Sequence, residues 1–356
     1  MKRARFRLDL KRLRNASDIK VGLVGYGPSY GMGKIHLEEA RQAGMTPVAV
    51  VARRPERQNA ARADFPGIEV FSSLDKMLER SEANLVVIAT PHHTHARLAC
   101  RALRAGRHVL CEKPMALTTA ECNAMMAAAR KASRVLAVYH NRHWDRHIVN
   151  AVAHVRSGLI GKIVRIEARV GSRAKPADNW YSHEPEHGSI TYCWGPHLIE
   201  YVLQLVDSEI VEVSGFAHRG FWSAQSKWGR ACIEDEAALV VRFANGVWLS
   251  LVATAIDCNP RGSILDITGT RGSYVVNWAC NELTRPVGGR IVRTRFENKP
   301  GPHWSQGRRL YENLAACLTR GTRLAVTPEW GRRIVHVLEL GSRSARRGSA
   351  LRASYS

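Results

Sequence analysis

Between Lys20 and His140, short apolar runs alternate with stretches of helical spacing. The runs are KVGLVG (20–25), TPVAVVA (46–52), NLVVIAT (84–90), HVLC (108–111) and RVLAVYH (134–140). Helical spacing occupies 33–44, a short piece around Asp75–Leu78, then ARLACRALRAG (96–106) and TAECNAMMAAARKA (119–132). Strands buried on both faces read as continuous apolar runs, and parallel neighbours need a helical crossover. The pattern therefore predicts an α/β domain with a doubly wound parallel sheet over 20–142.

The rhythm changes after that. A helix over 144–158 leads to an alternating strand, KIVRIEARVGS (162–172), and a loop rich in Trp, Pro, His and Glu over 173–188. A helix through HLIEYVLQLV (197–206) precedes strands at 209–217, 236–255 and 263–276, with a hairpin turn at Asn245-Gly246. Two helices, 306–319 and 328–345, close the chain. This predicts a second domain over 143–356, α+β with an open, mostly antiparallel sheet. The last helix is expected to pack back on the first domain. Residues 1–19 carry seven Lys/Arg in their first 14 positions and are expected to form a disordered basic tail. For 356 residues, two domains are also the natural division.

Bulk properties remove several function classes. Eight cysteines stand singly, with no metal-site spacing, which points to reduced thiols in a cytoplasmic protein. Neither an apolar run long enough to span a membrane nor a secretory signal is present. The net charge of +22 raises nucleic-acid binding. The 42 arginines against 11 lysines are spread along the chain, however, as arginine-rich codon usage would give. No specific nucleic-acid or membrane partner is expected.

The first strand ends in Gly25-Tyr26-Gly27, and Gly33 follows in PSYGMGKIH. Glycines at a strand-to-helix junction allow backbone to approach a pyrophosphate at a helix N-terminus. The third glycine is displaced, so the loop is longer than usual, with Gly33 packing helix on strand. After the second strand, the acid that would bind the ribose 2′-hydroxyl of NAD is missing, and Arg53 and Arg54 stand there. NADP is therefore the expected cofactor and NAD the alternative. Thr90-Pro91 ends another strand and is expected to face the nicotinamide ribose. His92-His93-Thr94-His95 reads as a helix start rather than a metal box. HVLC stops at Glu112-Lys113-Pro114, at a strand end where cofactor and substrate meet.

These residues together resemble the glucose–fructose oxidoreductase/inositol dehydrogenase (Gfo/Idh/MocA) family over 20–345. The matching elements are VGLVGYG…GKIHL (21–37), VIATPHHTHARLACRALRAGRHVLCEKPMALT (87–118), NRHWD (141–145), SGLIGKIVRIEAR (157–169), WGPHLIEYVLQLV (194–206), GTRGSYVV (269–276) and VTPEWGRRIVHVLELGSRSAR (326–346). The resemblance implies an N-terminal Rossmann domain. It also implies hydride transfer between NAD(P) and a carbinol or carbonyl carbon of a sugar, polyol or related ring. It places Lys113 beside nicotinamide and substrate, and maps the family's proton-handling histidine to His197. One departure stands out: the family's Asp four residues before that histidine is Cys193 here, and a thiol lacks a carboxylate's charge. Glu184 or Glu186 is a candidate replacement.

The expected site is therefore Lys113 and His197 for catalysis. Gly25, Gly27, Gly33, Arg53, Arg54, Thr90, Pro91, His95, Glu112 and Lys113 are the expected cofactor contacts. Arg142, Trp144, Asn179, Trp180, His183, Cys193 and His197 are the expected substrate contacts. No metal is expected. Apolar residues on both faces of VWLSLVATA (247–255) point to a homo-oligomer, a dimer or tetramer. Cys193 favours a second reading, a regulator or sensor that binds nucleotide without turnover.

Overall fold

The computed structural model describes residues 12–27, 31–298 and 306–354. The chain divides into two compact units, Met1–Asn141 with Gly307–Arg332, and Arg142–Gln306 with Arg333–Ser356.

The first unit is built on β1 (Lys20–Val24), α1 (Met32–Gln42), β2 (Thr46–Val51), α2 (Pro55–Asp64), β3 (Glu69–Phe71), α3 (Leu74–Arg80), β4 (Leu85–Ile88), α4 (His95–Arg104), β5 (His108–Glu112), α5 (Thr119–Ala132) and β6 (Leu136–Tyr139). The six strands are parallel in the order β3-β2-β1-β4-β5-β6. The order reverses between β1 and β4, and the crevice beyond the carboxyl ends there is where such sheets bind ligands. The central strands are sealed on both faces: Leu85, Val86, Val87 and Ile88 are fully buried. A capping box fixes the start of α5, with Thr118 Oγ1 and the Glu121 carboxylate satisfying each other's backbone N–H groups.

Sequence reading passed over α2 and β3. The helix has a weak apolar face with one buried residue, Ala61, and the strand is three residues long, so neither leaves a strong periodic signal. Residues 1–11 of the expected tail lie outside the described residues, but residues 12–19 correct that expectation. Leu13 N–H donates to Leu318 O, Ala16–Asp18 form a 3₁₀ turn, and Ile19 is fully buried.

The second unit contains α6 (Arg146–Arg156), β7 (Ile163–Gly171), α7 (Glu184–His187), α8 (Thr191–Leu205), β8 (Ile210–His218), β9 (Glu236–Phe243), β10 (Trp248–Thr254), β11 (Leu265–Gly269), β12 (Gly272–Val276), β13 (Cys280–Val287), β14 (Arg290–Glu297) and β15 (Leu351–Arg352). Its nine strands run β14-β13-β12-β11-β7-β10-β9-β8-β15. Every pairing is antiparallel except β7 with β10. The β13–β14 hairpin was not read from sequence: β14, RIVRTRFE, is exposed along almost its whole length and shows no apolar face. Helices α6 and α8 pack against each other and on the sheet.

Helix α9 (Gly307–Arg320) belongs to the first unit. Helix α10 (Pro328–Arg347) begins in the first unit and continues in the second. There it lies tight on β8, because a Cβ on Gly215 would come within 2.0 Å of Gly341 O. Among the described residues, no helix is long and apolar enough to cross a membrane, and no cluster of His, Cys, Asp and Glu could hold a metal.

Candidate active site

At the end of β1, Gly25 has φ 107°, and a Cβ on it would lie 2.1 Å from Ala89 O, beyond β4. Only glycine fits such a position. Gly33 lets α1 settle against the same loop: a Cβ there would be 3.0 Å from Gly25 O and 3.1 Å from Leu23 Cδ2. Helix α2 braces the loop from the other side. Tyr26 Oη donates to Asp64 Oδ2 at 2.5 Å, and Lys34 Nζ donates to Asp64 Oδ1 at 2.7 Å. Burial and the Asp64 carboxylate push the Tyr26 hydroxyl well above its ordinary range, so it stays a donor. Arg57 lies across Gly27, its Nε 3.0 Å from where a Cβ would stand. Bare backbone, a helix start and a guanidinium in one place suit a dinucleotide pyrophosphate.

Arg53 is exposed, and Arg54 is 69% exposed at 3.9 Å from Glu56. Arg57 was not singled out from sequence. Its signal was its place one helical turn beyond Arg54, on the face of α2 that returns to the glycine loop.

Two strand-end segments, those after β4 and β5, are tied together nearby. His95 is fully buried, with Nε2 2.8 Å from Thr90 O and Nδ1 2.9 Å from Pro114 O. Burial lowers its pKa, and the neutral ring donates to one of these carbonyls. Thr90 Oγ1 lies 2.6 Å from Thr94 Oγ1, which donates to Pro91 O. Glu112 Oε2 accepts the Lys113 backbone N–H at 2.9 Å, and Oε1 lies 3.2 Å from His36 Nε2. Burial would raise Glu112, but the hydrogen bond and charge of His36 and the charge of Lys113 outweigh it and hold the carboxyl below its ordinary value. His36, which sequence reading left among the helical residues, thus anchors the strand end that presents Lys113.

In the second unit, one face of α8 gathers a cluster. Trp194 and His197 have ring centroids 5.4 Å apart. The Arg142 guanidinium stands 4.7 Å over the Trp194 ring and 5.3 Å over that of Trp278. Arg142 Nη1 donates to Asp145 Oδ2 at 3.1 Å, and Tyr201 Oη donates to the same oxygen at 3.1 Å. Asp145 Oδ1 has no hydrogen bond and the residue is buried, which pushes its pKa up to about 6 despite Arg142. His143 Nδ1 lies 2.5 Å from Glu200 Oε1. Trp144 packs edge-on to His143 at 4.7 Å. Cys193 is half-buried at the start of α8. Gly195 lets α10 close in, since a Cβ would lie 3.0 Å from Leu338 Cδ2.

The remaining expected substrate contacts lie in the 173–188 loop. Asn179 Oδ1 accepts from Tyr181 N–H, capping a 3₁₀ turn over Trp180–Ser182. The Trp180 and Tyr181 rings lie tilted to each other with centroids 4.0 Å apart, and His183 stacks on Trp228 at 4.2 Å. Glu184 pairs with Arg219 at 2.8 Å and Arg346 at 3.4 Å, while Glu186 lies 2.9 Å from His183 Nδ1. Both acids named as stand-ins for the missing carboxylate are thus engaged in other pairs.

Residues 19–140 match the family model described as an oxidoreductase family with an NAD-binding Rossmann fold, and residues 148–275 match the GFO/IDH/MocA C-terminal domain. The chain belongs to the GFO/IDH/MocA oxidoreductase family. An uncharacterized oxidoreductase of Schizosaccharomyces pombe, C115.03, is 30% identical over 271 residues, 72% of this chain and 70% of that protein. The scyllo-inositol 2-dehydrogenase (NADP(+)) IolW of Bacillus subtilis is 28% identical over 197 residues. That match spans 55% of this chain and about half, 54%, of the relative. A levoglucosan dehydrogenase solved with NADH and levoglucosan shares the fold, with TM-score 0.80 at 22% identity, covering 94% of this chain and 99% of that one. The GFO/IDH/MocA frame gives the parallel sheet and its glycine loop their meaning as an NAD-binding domain.

Proposed function

We propose that this protein is an NAD(P)-dependent dehydrogenase or reductase acting on a CH–OH or carbonyl carbon of a sugar, polyol or related ring, with NADP(H) preferred. The observation that carries this reading is the Gly25–Gly27–Gly33 cradle with Arg57 laid across it. Nicotinamide, when bound, supplies the hydride acceptor or donor. The three glycines would hold the pyrophosphate, and Arg57 with Arg53 and Arg54 would meet a 2′-phosphate. Lys113 would hold the substrate oxygen and stabilise its developing charge, while His197 exchanges the hydroxyl proton. Relatives named for NADP(+) and solved with NADH both occur, so the arginines support the choice of NADP within a family that uses either. Open-face residues Phe216 and Trp248, 62% and 37% exposed, support assembly into a homo-oligomer through that sheet face.

The test is a panel of sugars and polyols with NADP⁺ and NAD⁺, followed by absorbance of the reduced cofactor, with fluorescence titration of NADPH and NADH. Turnover with tighter NADPH binding is expected. Tight binding without turnover across the panel would instead favour the sensor reading, to which Cys193 points.

A further inference from the structure

The place that a carboxylate at position 193 would serve is held here by a thiol, yet a histidine–carboxylate pair is built on the same helix about two turns further on, at Glu200. His143 Nδ1 is 2.5 Å from Glu200 Oε1. Gln204 Nε2 donates to both Glu200 oxygens, at 3.1 and 3.0 Å, and to His143 O at 3.1 Å. The Glu200 oxygens therefore act as acceptors, and the imidazole is the donor at Nδ1. The Glu200 side chain is 1% exposed, whereas that of His143 is 18% exposed. Nε2 makes no hydrogen bond among the described residues. A buried carboxylate gripping one ring nitrogen fixes the tautomer and leaves the other as a base.

Position supports a chemical role over a structural ion pair. His197 and Glu200 are three residues apart on α8, neighbours on one helix face. Trp194 lies three residues before His197 on the same face, under the guanidinium of Arg142, the residue preceding His143.

We propose that His143, oriented by Glu200, is a second proton-transfer residue of this site and takes over the role left open by Cys193. In the oxidation direction the substrate O–H bond breaks, its proton passes to His197, and His143 Nε2 accepts it from there. The C–H electron pair leaves as hydride to the oxidised nicotinamide, a C=O bond forms, and His143 returns its proton to water. Glu200 is a positioning residue. The inference rests on the dehydrogenase reading above.

Full-length His143→Ala, assayed with NADP⁺ and a turned-over polyol, should lose kcat by ~10²-fold, the scale of a positioned base. NADPH affinity should be unchanged, the melting temperature should fall because Glu200 is left buried without its histidine, and added imidazole should restore turnover. Turnover within about threefold of wild type, or a loss that imidazole does not restore, overturns the assignment. An independent readout uses the wild-type protein without substrate. Nitrogen-15 NMR of labelled histidines should show His143 with a proton on Nδ1 and a bare Nε2, and Glu200→Gln should disturb that state. An Nε2–H tautomer in wild type overturns the proposal, even if His143→Ala fails to fold. An inert wild type with the expected tautomer would reject the dehydrogenase reading while leaving the dyad in place.

Discussion

Asp145 gives the second unit a pH dependence that can be worked out in advance. The carboxyl is buried, its hydrogen bonds converge on Oδ2, and Oδ1 has none. Its pKa moves from 3.8 to about 6, with burial the main cause and Arg142 and Tyr201 opposing it. Between those values the folded chain keeps a proton that the unfolded chain has released, so stability falls as pH rises. Below the lower value both states are protonated and the effect vanishes. Above the upper value the loss is complete, about 3 kcal/mol at 1.36 kcal/mol per unit of pKa. Roughly 2 kcal/mol of it develops between about pH 4.5 and pH 7. Asp145→Asn keeps the shape and an acceptor for Arg142 and Tyr201 but cannot ionise. Urea unfolding followed by tryptophan fluorescence suits the test, because Trp194 and Trp278 flank Arg142. His147, lowered to about 4 by burial, has its own dependence and lies 4.0 Å from Asp145, so the comparison is made with His147→Gln in both proteins, which removes it from the difference. Relative to the Asp145→Asn variant, the parent that keeps Asp145 should lose about 2 kcal/mol over that range. Parallel curves, or a parent that gains on the variant as pH rises, would refute the argument.

Other outcomes follow from the same geometry. Gly25→Ala should weaken NADPH binding at least ~10-fold, since left-handed backbone alone costs a side chain about 1–2 kcal/mol and Ala89 O blocks the Cβ; an unchanged titration would count against the cradle. Arg57→Ala should weaken NADPH more than Arg53→Ala or Arg54→Ala, because only Arg57 is seen against the glycine loop; equal effects from all three would remove its special role. Lys113→Ala and His197→Ala should each cut kcat by ~10²-fold with NADPH affinity unchanged, and full activity in both would show the site assignment to be wrong. Deleting residues 1–18 should lower the melting temperature, because the Leu13–Leu318 bond and the Ala16–Asp18 turn are lost with them; an unchanged melt would show that they contribute nothing.

The two parts of the chain differ in how openly they declare their fold. β1, β4 and β5 are apolar runs because both their faces are covered, and each is read correctly to within a residue or two. β14 escapes notice because almost all of its side chains meet solvent, so nothing selects an alternating pattern. Residues 12–19 resemble a free tail because their charge density is high, while Ile19, the buried apolar residue of the segment, lies at its very end.

What the sequence determined by itself is whatever depends on near neighbours along the chain. Strand and helix periods are of this kind, as is a Gly25 that a strand-to-helix turn requires, or the Asn245-Gly246 hairpin. The tertiary structure decided what depends on which distant segments meet. Arg57 rather than Arg53 or Arg54 crosses the glycine loop, because α2 turns that face inward. His36 reaches Glu112 across 76 positions, and His143 reaches Glu200 across 57. The unusual pKa of Asp145 is likewise created by burial, since an aspartate's identity fixes only its value in water. Local periodicity is written in consecutive residues, but desolvation and the pairing of polar groups arise only once the core has closed around them.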